Sequence, residues 1–380
     1  MIYLDAAVTL PTSTDLQDRL VHTLSTTWGN VSGVHQVSRA AKNLLEGSRE
    51  KCALLADVSP DNIVFTSGST EALNIAIQGY GRAHPDARIF YSTIEHPAVS
   101  KPAQYFGMHG HETIALSVDS NGVINTNELE QVQPGDLVCV MPVNNEIGVI
   151  NDIRILSKII HERGGLVLLD AVQAFYSFHP QEICELSDFA VFSGHKLGGP
   201  PGVGMLFIRD RSSIDPLAFG GSQEWELRPG STPAFLVDGF AYTLEQALDA
   251  RDEVIVHMKH CQKTCIDAID QKMHDVNIHA RNVKRSPHIV ALDVKGIESQ
   301  MLVAMLDARD VCVSRGSACA SGAATPSPVL LALGIDEARA TSTIRLSFYH
   351  GTTLEEISEA VDIIAECVEQ LRSLQKVSVS

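Results

Sequence analysis

Short apolar runs alternate with longer stretches of helical period along most of this chain, and no other feature constrains its fold so strongly. The runs at 63–65, 88–91, 137–142, 166–169, 189–192 and 204–208 are rich in Val, Ile, Leu and Phe. Strands this uniformly apolar are buried on both faces, as in a parallel sheet covered by helices. Helical patterns begin near Thr70, Pro97, Asp152 and Ala234. The alternation predicts an α/β fold around a largely parallel sheet. From about 253 the pattern changes to a long helical stretch, strands near 288–293 and 343–347, and a helix over about 354–375. We therefore expect a large α/β domain over 14–252, and a smaller α+β domain formed by 253–380 with 1–13. A length of 380 residues suits that division at about 100–200 residues per domain.

The chain carries 29 basic and 46 acidic side chains, a net charge of −17. Such a surface repels phosphate, which disfavours direct binding to nucleic acid or an acidic membrane. No apolar stretch approaches the ~18 residues that span a bilayer. No secretory leader follows Met1, so a cytoplasmic protein is expected. Eight cysteines are scattered without a CxxC pair, which argues against a disulfide framework and for small core hydrophobes. His257, Cys261 and Cys265 imitate a ligand set at i, i+4, i+8. Eight helical residues span about 12 Å, whereas zinc ligands sit about 2.0–2.3 Å from one ion. No metal is expected.

Five segments carry chemistry. In Phe192-Ser193-Gly194-His195-Lys196-Leu197-Gly198-Gly199 a strand pattern ends on a lysine among glycines. Ligands of open α/β sheets bind beyond the carboxyl ends of strands, and a lysine there can form a Schiff base. Alone it also reads as a surface lysine in a turn. The apolar run Leu166–Leu169 delivers Asp170, an acid able to keep a cationic ring nitrogen protonated, or simply to cap a helix. Thr66-Ser67-Gly68-Ser69-Thr70 joins a strand to a helix, whose free N-terminal amides suit an anion. It matches neither a P-loop nor GxGxxG. His96, just before a helix, can stack on a flat cofactor and exchange protons, or serve as a cap. Alternation in Thr343–Phe348 puts Arg345 on a polar strand face, where its fork suits a carboxylate. Together the five match the requirements of pyridoxal phosphate. A further segment, Ser314–Pro328, is almost all small residues around Cys319 and reads as an exposed, mobile loop.

These motifs resemble a pyridoxal-phosphate cysteine desulfurase of the NifS/IscS type, within the class V aminotransferases. The resemblance runs through YLDAAVTLP, GNVSGVH, FTSGSTEALN, EHPAV, VNNEIG, LLDAVQA, SGHKLGGPPGVG, RPGST, SRGSACASG and TIRLS, from Tyr3 to about Phe348. It implies a fold-type I transferase with a mostly parallel seven-stranded sheet, acting as a homodimer with shared sites. By position, Lys196 holds the cofactor and Asp170 its ring nitrogen. His96 stacks on the ring, and Gln173 and Asn145 contact the ring region or the substrate. Ser69, Thr70, Ser193 and His195 bind the phosphate, with Ser231 from the partner subunit. Arg345 clamps the substrate carboxylate, and Cys319 accepts sulfur.

The departures are modest. Ser231 replaces a threonine, Pro201 a lysine, Val8 and Leu10 vary the first motif, and Pro229 sits inside RxGT. SRGSAC is the long-loop form, and a long docking tail after Arg345 is not apparent. The implied reaction takes sulfur from L-cysteine, leaves L-alanine and puts a persulfide on Cys319. An acceptor protein then uses it in iron–sulfur assembly or in tRNA or DNA thiolation. A selenocysteine lyase, another class V aminotransferase and a non-catalytic partner-binding relative are the alternatives.

Overall fold

The apolar runs become strands, and the computed structural model describes residues 1–316 and 325–379. In chain order the strands are β1 (Ile2–Tyr3), β2 (Ile63–Thr66), β3 (Ile89–Ser92), β4 (Thr113–Leu116), β5 (Leu137–Val140), β6 (Leu166–Asp170) and β7 (Phe189–Ser193). They continue with β8 (Gly204–Ile208), β9 (Val276–Ile278), β10 (Ile289–Val294), β11 (Val311–Cys312), β12 (Ser314–Arg315) and β13 (Thr343–Ser347). The helices begin with α1 (Thr14–Thr26), α2 (Gln36–Ala56), α3 (Ser69–Ala83), α4 (Pro97–Met108), α5 (Ile153–Glu162) and α6 (Pro180–Glu185). They end with α7 (Ala234–Asp249), α8 (Arg251–Lys272), α9 (Ser299–Asp307), α10 (Pro328–Ala332), α11 (Glu337–Thr341) and α12 (Leu354–Val379).

Seven strands form one sheet in the order β2-β8-β7-β6-β5-β3-β4. Neighbours from β7 through β4 are parallel, while β8 runs antiparallel to both β7 and β2. Alternate strand residues point to opposite faces. Val138, Val140, Val167 and Leu169 pack under α2, α5, α6 and α7, whereas Leu137, Cys139, Leu168 and Val191 pack under α3 and α4. Burying a side chain of this size stabilises by roughly 1.5–3 kcal/mol, so a sheet covered on both faces excludes polar residues until its strands end.

The run at 137–142 is strand only to Val140, because Pro142 has no N–H for the ladder. β4 escaped the sequence reading. It is an edge strand of which only Leu116 is fully buried. Helix α2 has buried positions at Ala41, Leu45, Ser48 and Cys52, one helical stripe, with His35 capping its start.

The C-terminal strands form an antiparallel sheet, β12-β13-β10-β9. β1 pairs in parallel with β11, which draws the N-terminus into this second unit. Ile2 and Leu4 share a core there with Cys261, Cys265, Val290, Leu292, Val294 and Ile357. The seven described cysteines are free thiols, six of them buried. His257 Nε2 lies 2.7 Å from the Thr352 carbonyl and 3.4 Å from Cys261 Sγ. Among the described residues, no helix is long and apolar enough to cross a membrane.

Two expectations change. Arg345 lies on no solvent-facing polar side, since all five residues of β13 are buried and Arg345 is 1% exposed. Nor is Ser314–Pro328 one exposed loop. Ser314 is a buried residue of β12, and Ser327 is a buried cap of α10. Cys319 lies outside the described residues.

Candidate active site

The carboxyl ends of β5, β6 and β7 meet the start of α3 and the N-terminal segment. Asp170 ends β6 and is 5% exposed, with Oδ1 accepting the Val172 N–H at 3.2 Å. Burial pushes its carboxyl up, while His96, the Val172 amide and Lys196 pull it down. Lys196 closes a short helical turn after β7. Its Nζ donates to the carbonyls of Ala7 at 2.8 Å and Val8 at 2.6 Å. The Leu10 N–H bonds the His195 carbonyl at 3.0 Å, tying the two segments together. Burial, and next the Lys196 charge, lower the His195 imidazole to about 4, so it is neutral at pH 7.

Strand register aligns Ser193 with Gly204, and Gly204 with Thr66. This carries buried Ser193 to the mouth of α3, where Ser69 and Thr70 occupy the first turn. Gly68 there has φ +154°, and a Cβ on Gly204 would come within 2.8 Å of the Gly68 carbonyl carbon. The two glycines let backbone approach backbone. No side chain caps α3, so its first-turn amides and dipole face the strand ends. Glu71 accepts the Ser67 N–H and pairs with Arg228 at 3.3 Å. That pair anchors the segment leading to Ser231, which is exposed.

His96 caps α4, its Nδ1 accepting the Ala98 N–H at 3.0 Å. The neutral ring therefore carries its proton on Nε2. Glu95 beside it is buried, with one oxygen on the Met141 N–H at 2.8 Å and the other unpartnered. Burial, and then Asp170, push Glu95 well above the usual carboxylate range.

Arg345 reaches across from β13. It donates to the Asn145 carbonyl at 2.7 Å and to Asp5 at 3.0 Å, leaving Nε unpartnered. Asn145 is half-buried. Glu146 follows it, and its carboxylate accepts the Ser327 hydroxyl. Burial raises Glu146 to about 7, opposed by that bond, Arg345 and His96. Gln173 donates from Nε2 to the Ala7 carbonyl at 2.8 Å and accepts from His288 at 2.9 Å.

Lys196, Asp170, His96, Gln173 and Arg345 are thus linked by shared partners or by charge, and Ser69, Thr70 and Ser193 by register. Ser231 stands apart on its exposed segment. Sequence reasoning missed Asp5, Glu95, Glu146 and His288. The first three lie inside the motifs YLDAAV, EHPAV and VNNEIG, and that adjacency was their one signal.

A class-V aminotransferase family model matches residues 2–359. A cysteine desulfurase IscS of Dictyoglomus turgidum is 32% identical over 378 residues, covering 98% of this chain and 96% of that relative. The cysteine desulfurase IscS of Klebsiella pneumoniae is 33% identical over 383 residues, covering 98% and 94%. A solved NifS-like protein superposes with a TM-score of 0.89 at 29% identity, covering 97% of this chain and 99% of that one. DndA from Streptomyces lividans gives 0.77 at 30% identity, covering 91% and 99%. The chain belongs to the class-V aminotransferase family, on its cysteine desulfurase branch, and its fold is that of fold-type I pyridoxal-phosphate enzymes.

Proposed function

We propose that this chain is a pyridoxal-phosphate cysteine desulfurase that moves sulfur from L-cysteine to Cys319. The observation that carries it is the Lys196 amine, held by two backbone carbonyls beside buried Asp170. The donor set fits the cofactor. Uncapped α3 amides with Ser69, Thr70 and Ser193 suit its phosphate, Asp170 suits its ring nitrogen, and the Gly68–Gly204 approach leaves no Cβ in the cradle. When bound, pyridoxal phosphate supplies an electron sink that acidifies the substrate Cα–H and weakens Cβ–S.

The chain's residues do the rest. Lys196 holds the cofactor and then moves the Cα proton. With the cofactor bound, His96 would stack on its ring and could exchange the Nε2 proton. Asn145 and Gln173 orient ring and substrate, His195 joins the phosphate set, and Arg345 binds the substrate carboxylate in a charge-assisted fork. The Cys319 thiolate attacks the substrate sulfur. The S–S bond forms as Cβ–S breaks, the electron pair returns to carbon, and protons complete L-alanine. The persulfide then passes to an acceptor protein, with a net charge of −17 disfavouring direct contact with nucleic acid.

In this reading 14–252 is the cofactor domain, and 1–13 with 253–380 carries Cys319. A homodimer brings Ser231 to the partner's phosphate site. The free thiols suit a reducing cytoplasm. The test adds L-cysteine to the purified enzyme and measures sulfide and alanine. Lys196→Ala should be colourless and inactive, and an active Lys196→Ala enzyme refutes the assignment.

A further inference from the structure

A chain of buried and half-buried hydrogen bonds runs from the Lys196 amine to the segment that leads into β10, and its direction follows from one peptide group. The Ala7 carbonyl can only accept. It receives Lys196 Nζ at 2.8 Å and the Gln173 side chain at 2.8 Å, so Gln173 must present nitrogen to it. The Gln173 oxygen then faces His288 Nε2 at 2.9 Å, and that nitrogen must carry hydrogen. In the neutral ring Nδ1 is bare and accepts the Ser286 hydroxyl at 2.7 Å, while Ser286 accepts from Ser177 at 3.2 Å.

The ring has no room to be charged. Burial, then Arg345 and Lys196, push His288 down to about 3, and the Tyr176 ring packs 5.1 Å away. Its backbone is equally constrained. Gln262 bonds the carbonyls of Ser286 and Ile289, and the Ser286 N–H bonds the Gly148 carbonyl.

We propose that His288 is a positioning residue for Lys196. It locks the Gln173 carboxamide in one of its two flips, and Gln173 holds the Ala7 carbonyl where it receives the lysine amine. With the amide flipped, oxygen would face oxygen at Ala7, and the amine would lose a fixed partner. This rests on the reading of Lys196 as the cofactor lysine.

The test begins with histidine-selective 15N NMR of the holoenzyme, with His288→Phe assigning the signal. His288 should show the Nε2–H tautomer and no titration between about pH 5 and 8. His288→Gln, which keeps a donor toward Gln173, should bind pyridoxal phosphate as the parent does. His288→Phe should bind it about tenfold more weakly, with the pH dependence of the visible absorbance displaced. Should His288→Phe fail to fold, Ser286→Ala should keep the Nε2–H tautomer in a folded protein, because the Gln173 oxygen alone demands it. An Nδ1–H tautomer, an ordinary histidine titration, or parental binding and absorbance in His288→Phe overturns the proposal. If Lys196→Ala still captures the cofactor covalently, the functional reading fails instead, and the NMR result stands apart from it.

Discussion

Glu224 and Arg49 form a buried ion pair outside the active site, and breaking it tests how this sheet protects its edge. Their side chains are 1% and 4% exposed. Arg49 of α2 grips Glu224 at 2.8 and 3.0 Å and donates to the Ile63 carbonyl at 2.8 Å. Glu224 also accepts the Phe65 N–H at 2.8 Å and the Thr232 hydroxyl at 3.2 Å. β2 is an edge strand, so the pair occupies groups that no neighbouring strand reaches. Glu224→Ala leaves the buried guanidinium with only partly exposed Glu46 and the Ile63 carbonyl, strands an edge N–H and the Thr232 hydroxyl, and should cost about 3–5 kcal/mol. Arg49→Met combined with Glu224→Leu removes both charges and leaves only the edge backbone groups and the Thr232 hydroxyl, for about 1–3 kcal/mol. The double variant should therefore be more stable than Glu224→Ala, with strong coupling in a double-mutant cycle. Urea unfolding of the holoenzyme measures both. A loss below about 1 kcal/mol in Glu224→Ala, or strict additivity, refutes the reasoning.

Other outcomes follow from the site. Cys319→Ala should fold and bind the cofactor yet release almost no alanine, whereas half-buried Cys312→Ala should keep turnover and lose about 1 kcal/mol of stability; mass spectrometry after L-cysteine should find the added sulfur on Cys319. Glu146 is raised from 4.5 to about 7, so the native state retains a proton that the unfolded chain has lost between those values. Its contribution to stability is full below 4.5 and falls as pH rises toward 7; melting of Glu146→Gln should lack that component, and parallel pH profiles would exclude it. Heterodimers of Lys196→Ala with Ser231→Asp should regain activity, because one of their two sites keeps both residues; verified heterodimers with no activity would argue against shared sites.

Legibility in the sequence tracked how local each signal was. Strands β5 to β8 were readable because sheet burial leaves continuous apolar runs. β4, half-covered at the edge, left no such run. Lys196, Asp170 and Ser69 were readable because each sits where a strand ends, a boundary visible in composition. Arg345 was placed on the right strand but in the wrong surroundings. Alternation in TIRLS implies a wet face, but Arg345 is buried, and the acid that pairs with it is Asp5, 340 residues away. His288 was illegible for the same reason, since its partner Gln173 lies 115 residues earlier. Glu95 and Glu146 stood inside quoted motifs, but only burial among other charges separates them from surface acids.

The N-terminal strand has a consequence for synthesis. Ile2 pairs with Val311, and the carbonyls of Ala7 and Val8 hold Lys196. Ile2 thus waits for a partner that lies far downstream in the chain. Roughly 300 residues must follow at about 5–20 per second, a wait of about 15–60 s. Through most of that interval Ile2 and Leu4 have no core to enter, because its other members begin at Cys261. Ala7 and Val8 wait less, since Lys196 lies 189 and 188 residues on, so the two ends of one short segment find their partners at different times.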